Sequence, residues 1–166
     1  MQIYALSTKK KKKTIIFKII PFLVGLSIVG LDQILKRIFI TKLSDGNYID
    51  CGICDMRLVY NTGTAFGLFA GNNSFFVYIS LLAIILIFIL IFKTPTRDIL
   101  SRSAYSMILA GALSNLVDRL RVGYVIDFID FRFWPVFNLA DTSITCGIIL
   151  LFIAIFNQNQ KGCGVN

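Results

Sequence analysis

Histidine and glutamate are both missing from this 166-residue chain, and all nine of its acidic residues are aspartates. Without an imidazole, a Ser–His–Asp triad and a histidine-ligated zinc site are excluded. Cysteine is sparse: Cys51, Cys54, Cys146 and Cys163 do not make a framework. Cys51 and Cys54 form one lone CxxC, which reads as an accident of sequence or a minor loop disulfide. Charge is scarce too, at 16% of residues, against about a quarter in globular chains. What fills the gap is apolar: 56% of residues are hydrophobic and the mean hydropathy is +0.75. Because the excess lies in long runs, a soluble domain is excluded and a polytopic membrane protein of one domain is expected.

The net charge of +8 raises the question of nucleic acid, but its placement argues against it. Five consecutive lysines (9–13) and Lys18 lie directly before an apolar segment, which is a membrane-orientation signal and suits anionic lipid headgroups. Four apolar segments follow, at about 15–40, 75–92, 103–120 and 136–156. The first is not read as a cleavable signal peptide, since no small-x-small site follows it. Basic residues at 9–13 and at Lys93, Arg97 and Arg102 place the N-terminus and the second connection in the cytoplasm,. Four spans then return the C-terminus to that side. The expected organisation is a basic cytoplasmic tail (1–14), a membrane domain (15–156) and a cytoplasmic tail (157–166). Its outward loops are 41–74 and 121–135. The stretch MRLVYNTGTAFGLF, rich in β-branched and aromatic residues, predicts a short β-structure on the membrane surface, with Gly63 at a tight turn,.

This topology gathers polar residues that the sequence disperses. Asp32 and Lys36 end the first helix, Asn115, Asp118 and Arg119 end the third, and Asn138 and Asp141 begin the fourth. All three clusters fall at one depth, near the outer face, where costly polar groups meet each other or water. Asp127 and Asp141 are the leading pair for chemistry. Two carboxylates in one poorly solvated site share a proton. One is then a base for water while the other polarises a carbonyl. The bland alternative pairs these acids with Arg119 or Lys36 as structural groups, and the spacing alone leaves both open. Asp32 with Lys36, at i, i+4 in the favourable order, and Asp118 read as structural or substrate-binding. Arg119, which shares a helix face with Asn115, reads as a ligand for a substrate carbonyl or a support for an acid. Asn61, Gly63 and Ala65 suit close approach of an extended peptide, or simply a turn. Asp130 reads as a bystander wetted at the interface.

Five motifs in order carry a family resemblance: LDQILK (31–36), NTGTAF (61–66), GALSNLVDR (111–119), VIDF (125–128) and FNLAD (137–141). Together they resemble the lipoprotein signal peptidases, the type II signal peptidases of bacteria. The resemblance implies an α-helical integral membrane protein with four transmembrane helices, a small β-cradle on the outer membrane surface and both termini cytoplasmic. It implies an aspartyl endopeptidase of the cytoplasmic (inner) membrane, its active site toward the outer face. That enzyme would remove signal peptides from prolipoproteins carrying a diacylglyceryl-cysteine, cutting on the N-terminal side of that cysteine. Asp127 and Asp141 would be catalytic. Asp32, Lys36, Asn61, Gly63, Ala65, Asn115, Asp118, Arg119, Asn138 and Ala140 would bind substrate or support the site. A mobile flap is expected within 121–135. No metal or cofactor is expected, and the partners are the prolipoprotein and membrane lipids, with the protein a monomer. The segment between Asp127 and Asn138 is shorter than the family pattern, and the lysine run and the CxxC depart from it. The competing reading is a small proton-coupled transporter or channel subunit relaying protons through Asp32, Asp118 and Asp141. Such a protein would spread its acids through the membrane depth, whereas here they cluster.

Overall fold

The structure is a computed structural model that describes residues 2–63 and 71–163, with side chains from residue 19 onward except 159 and 161–163. Ala65 therefore lies outside the described residues. The elements follow the order α1 (Gln2–Leu43), β1 (Tyr48–Asp50), β2 (Asp55–Asn61), α2 (Asn73–Lys93), α3 (Ile99–Val122), β3 (Val125–Asp130) and α4 (Leu139–Cys163).

Helix ends coincide with capping chemistry. Asn72 opens α2 by accepting from the Phe75 N–H, and Asp98 opens α3 by accepting from that of Ser101. Gly123 closes α3 in the left-handed conformation (φ 86°), its N–H bonded to the Arg119 carbonyl, the geometry glycine adopts without steric cost. The first helix differs from expectation. It does not begin near residue 15 but runs back through the lysines to Gln2, in a stretch with no proline or glycine before Pro21. The last helix begins three residues late, at Leu139, because Asn138 is its cap, and it continues to Cys163.

Three helical segments are long and apolar enough to cross a membrane: Ile19–Leu43, Asn73–Lys93 and Leu139–Gln158. They present exposed side chains such as Phe22, Leu82, Phe92 and Phe152, a surface suited to hydrocarbon rather than water. α3 is not among them. It packs against α1, α2 and α4, so its neighbours are protein on three sides and it can carry serines, Asn115 and Asp118 in the interior. Small residues allow the close α3–α4 contact: a Cβ at Gly111 would strike the Ala140 carbonyl and the side chains of Ser143 and Ile144. Gly147 stands close to Ala104 and Ile108, with somewhat more room. Where lipid replaces water, such close backbone approach is a main source of helix association.

The sheet has the order β1-β2-β3, antiparallel throughout. β1 and β2 form a hairpin whose tip holds Cys51 and Cys54, both free thiols. β3 lies inside 121–135, so six residues of the expected flap are a paired strand. Beyond it, residues 131–136 leave the sheet and return at Phe137, which bridges back to Ile129.

Gly111→Ala is expected to lower the Tm of the detergent-solubilised protein by several degrees. Overpacking costs about 1–3 kcal/mol and each kcal/mol moves a chain of this size by about 2–4 °C. Gly30→Ala, in the same bundle but with open space around it, should leave Tm unchanged or raise it.

Candidate active site

The site is built on a buried lysine. Lys36 projects from α1 with its Nζ 2.7 Å from Asp32 Oδ2, 2.6 Å from Asp118 Oδ2 and 3.1 Å from Asn115 Oδ1. An ammonium has three donors, and all three are used. Each acceptor then reaches a further element. Asp32 Oδ1 accepts from the Ala140 N–H at 2.9 Å, one of the unpaired donors in the first turn of α4. Asp118 Oδ2 accepts from the Ile126 N–H of β3 at 3.3 Å. Gln33 adds its amide to Asp118 Oδ1 (2.9 Å) and Ser114 Oγ (3.0 Å), and Ser114 Oγ donates to Asp32 (2.6 Å).

Asp127 and Asp141 come together around Asn138, which is fully buried. Asn138 Nδ2 donates to Asp127 Oδ1 at 2.7 Å. Its backbone N–H donates to Asp141 Oδ2 at 3.3 Å, while its Oδ1 accepts from the Asp141 N–H at 2.8 Å. The last two bonds are the reciprocal pair of a capping box, so the device that starts α4 also fixes the Asp141 carboxyl at the positive end of that helix. Asn115 Nδ2 holds Asp141 Oδ1 at 2.8 Å, and Asn61 Nδ2 holds Asp127 Oδ2 at 2.8 Å. The amide orientations are set independently of the acids: Asn61 Oδ1 accepts from the Gly63 N–H at 3.0 Å and Asn138 Oδ1 from that of Asp141, so in both the NH₂ must face Asp127. The Asx-type bond to Gly63 is the turn expected there.

Among the described residues, neither Asp127 nor Asp141 forms an ion pair; both are held by neutral amides. The structural alternative, in which Lys36 or Arg119 neutralises them, is not what the geometry has, since Lys36 is taken by Asp32 and Asp118. Burial pushes the Asp127 carboxyl up to about 7, and the Asp141 charge adds to the rise. Asp127 therefore keeps a proton at a pH where ordinary carboxyls have lost theirs.

A cavity of about 330 Å³ opens over this pair, lined by Asn61, Gly63, Asn115, Arg119 and Asp141 on one side and by Trp134, Pro135 and Val136 on another. Asp127, 1% exposed, lies one layer deeper, behind Asn61. The Arg119 guanidinium sits over the Phe76 ring, 5.0 Å from its centroid, and makes no ion pair among the described residues. Asp130 departs from expectation: it is buried, paired with Arg57 at 2.6 Å and accepting from the Arg132 N–H at 2.7 Å. Gln33, Ser114 and Phe76 were not foreseen as parts of the site, whereas the wall at 134–136 falls where a segment over the active site was expected. Gln33 and Ser114 lie inside motifs already singled out; Phe76 sits in an unbroken apolar run that gives no signal.

The arrangement has known counterparts. Residues 24–157 match the family model described as signal peptidase (SPase) II. The chain is 37% identical over 143 residues to a lipoprotein signal peptidase of Halothermothrix orenii, covering 85% of this chain and 98% of that one. It is 41% identical over 135 residues to one from Moorella thermoacetica, covering 79% and 89%. A bacterial membrane enzyme solved by the in meso method superposes with a TM-score of 0.79 at 31% identity, covering 85% of this chain and 90% of its own. With the sequence family and the fold in agreement over most of the chain, the protein is a membrane peptidase belonging to the signal peptidase II family.

Proposed function

We propose that this chain is an aspartyl endopeptidase that removes signal peptides from diacylglyceryl-modified prolipoproteins, cutting N-terminal to the lipid-modified cysteine. The observation that carries the reading is that Asn138 links Asp141, on the cavity wall, to Asp127 one layer behind it, with no cation paired to either among the described residues. A paired cation would favour two carboxylates; neutral amides permit one carboxylate and one acid, which is the state general acid–base hydrolysis needs. Asp141, at the helix N-terminus, is the base and Asp127 carries the proton. Asp141 takes a proton from water as the water oxygen bonds to the scissile carbonyl carbon, and Asp127 gives its proton to the carbonyl oxygen. Collapse of the tetrahedral intermediate breaks the C–N bond. The proton held by Asp141 goes to the departing nitrogen, and Asp127 regains its own from the gem-diol hydroxyl. The signal peptide leaves as a carboxylic acid and the modified cysteine as a free amine.

Arg119, which lines the cavity and makes no ion pair among the described residues, binds a substrate backbone carbonyl. Asn61, Gly63 and Ala65 border the peptide, while Asp32, Lys36, Asn115, Asp118 and Ala140 support the dyad. In the membrane, α3 is the fourth span, shielded by the other three, as one domain over 15–156. The lysine run keeps the N-terminus in the cytoplasm, four crossings return the C-terminus there, and the sheet and site face outward from the bacterial inner membrane. The protein acts as a monomer among membrane lipids. A proton relay through Asp32 and Asp118 is disfavoured, since Lys36 engages both.

Asp127→Asn and Asp141→Asn are each expected to slow cleavage by roughly a thousandfold or more, since loss of a general acid or base costs 10²–10⁴. A gel-shift assay on a diacylglyceryl-modified prolipoprotein reads this out, with normal insertion and Tm as the control. Cleavage retained by either variant would overturn the dyad.

The pH dependence has a definite sign. Because the Asp127 value is raised, its proton is present below about 7 and lost above it. The cleavage rate at saturating substrate should fall as pH rises through that region. Folding stability follows the same direction. Wild type loses stability relative to Asp127→Asn as pH rises from the ordinary carboxyl value of 3.8 to about 7,. A Tm difference between the two that is constant from pH 5 to pH 8 would contradict the assignment.

A further inference from the structure

Arg132 stands out twice. Among the described residues it is the non-glycine residue with a left-handed backbone (φ 66°), a conformation that L side chains with a Cβ disfavour. It also makes a forked contact with the β1–β2 hairpin: Nε to Asp55 Oδ2 at 2.9 Å, Nη2 to Asp55 Oδ1 at 2.7 Å, and Nη2 to Asp50 Oδ1 at 3.3 Å. Its own N–H is anchored on Asp130, which is in turn gripped by Arg57. A strained backbone kept by surrounding contacts points to a functional constraint.

What these contacts hold is a cavity wall. Residues 131–136 leave β3 and return at Phe137, where the Ile129–Phe137 bridge (N–H to carbonyl distances of 2.8 and 3.0 Å) closes the base. Two residues beyond Arg132, Trp134, Pro135 and Val136 line the cavity opposite Asp141. Burial does little to fix this loop: Phe133 is 84% exposed and Trp134 59%. Phe131 contacts both Phe133 and Phe137, but those contacts are local to the loop and its base. Among the described residues, the ion pairs from Arg132 are the bonds that carry the loop across to the hairpin.

We propose that Arg132 is a positioning residue that sets the wall formed by Trp134, Pro135 and Val136 by clamping the 131–136 loop to Asp55 and Asp50. This rests on the reading of the cavity as the peptidase site. The clamp then governs how well the apolar part of the substrate beside the scissile bond is held, not the chemical step. The Arg132 guanidinium holds the Asp55 carboxyl below the usual carboxylate range, so the pair is intact at neutral pH. An arginine fork matches a carboxylate in a way a lysine does not.

The chain has a single tryptophan, Trp134, so its fluorescence reports on the wall directly. The test uses the full-length protein in detergent, comparing wild type with Arg132→Gln, Arg132→Gly, Arg132→Lys and Asp55→Asn, and with Asp45→Asn as a charge change outside the network. Arg132→Gly relieves the backbone strain, and Asp55→Asn cuts the clamp from its other side, so a folding defect in one variant leaves the others informative. Arg132→Gln, Arg132→Gly and Asp55→Asn should raise KM by roughly two- to fivefold with kcat little changed, a range set by the modest worth of an exposed pair. The same variants should increase acrylamide quenching of Trp134. Arg132→Lys should recover only part of both effects, and Arg132→Gln with Asp55→Asn should be no worse than either alone. Unchanged quenching in Arg132→Gln and Asp55→Asn overturns the clamp, as does changed quenching with an unchanged KM. If wild type itself fails to cleave a lipid-modified substrate, the peptidase reading fails, and quenching alone then decides whether the clamp exists.

Discussion

The Lys36 ammonium, sealed between α1 and α3, is the interaction on which the rest of the site depends. Its desolvation would be prohibitive for a lone charge, so every donor has to be matched; removing one partner of a buried pair costs about 3–5 kcal/mol. Two carboxylates and one amide oxygen meet that demand. The same three acceptors leave the lysine in different directions: Asp32 to the first turn of α4, Asp118 to the backbone of β3, and Asn115 to Asp141. A group that makes no contact with the cavity thereby fixes two helices, a strand and one of the two acids at once.

Cations and amides have divided the work. The cation sits one layer away from the aspartate pair, where it stabilises architecture, and the pair itself is held by Asn61, Asn115 and Asn138. The two kinds of support have opposite consequences for a proton. Charge pairing drives a carboxyl toward ionisation, whereas an amide donor in a dry environment leaves burial and the neighbouring acid to decide. That explains how one chain pairs Asp32 and Asp118 with a lysine and still raises Asp127 to about 7. Among the described residues, the only other group of matching charges is outside, where Arg57 and Arg132 meet Asp50, Asp55 and Asp130.

Much of this was legible in the sequence, for local reasons. Asp32 and Lys36 are i, i+4 on a helix, and Asn115, Asp118 and Arg119 fall within one turn, so their shared faces follow from helical period alone. Asn138 and Asp141 stand at the start of the fourth apolar segment, although the capping box that sets the helix start at Leu139 shows only in the structure. What was not legible depends on tertiary structure. Asp130 looks exposed by sequence because nothing local announces Arg57, seventy-three positions earlier, as its partner. The strand inside the 121–135 segment could not be read from sequence, because six residues buried on both faces have no alternation to reveal them,. α3 falls on the third expected apolar segment, but which of its serines, with Asn115 and Asp118, are buried depends on its packing against α1, α2 and α4.

The sheet shows how narrowly the two acids' surroundings are specified. Asp127 and Asp130 are an odd number of residues apart, so on β3 they point to opposite faces. Their partners on β2, Asn61 and Arg57, are an even number apart and would share one face in a regular strand. Both pairs form because the register slips once between Met56 and Val59: Met56 pairs with Ile129, but Val59 pairs with Asp127. The extra residue turns Asn61 onto the face of Asp127 while Arg57 stays on that of Asp130. Exposure along β2 records the slip, with Arg57 and Tyr60 outward three positions apart instead of two. Bulges are common beside functional sites because they re-aim a side chain without breaking the strand. In this chain, one such residue lets a single ribbon hold the inner carboxyl by an amide and the outer one by a cation.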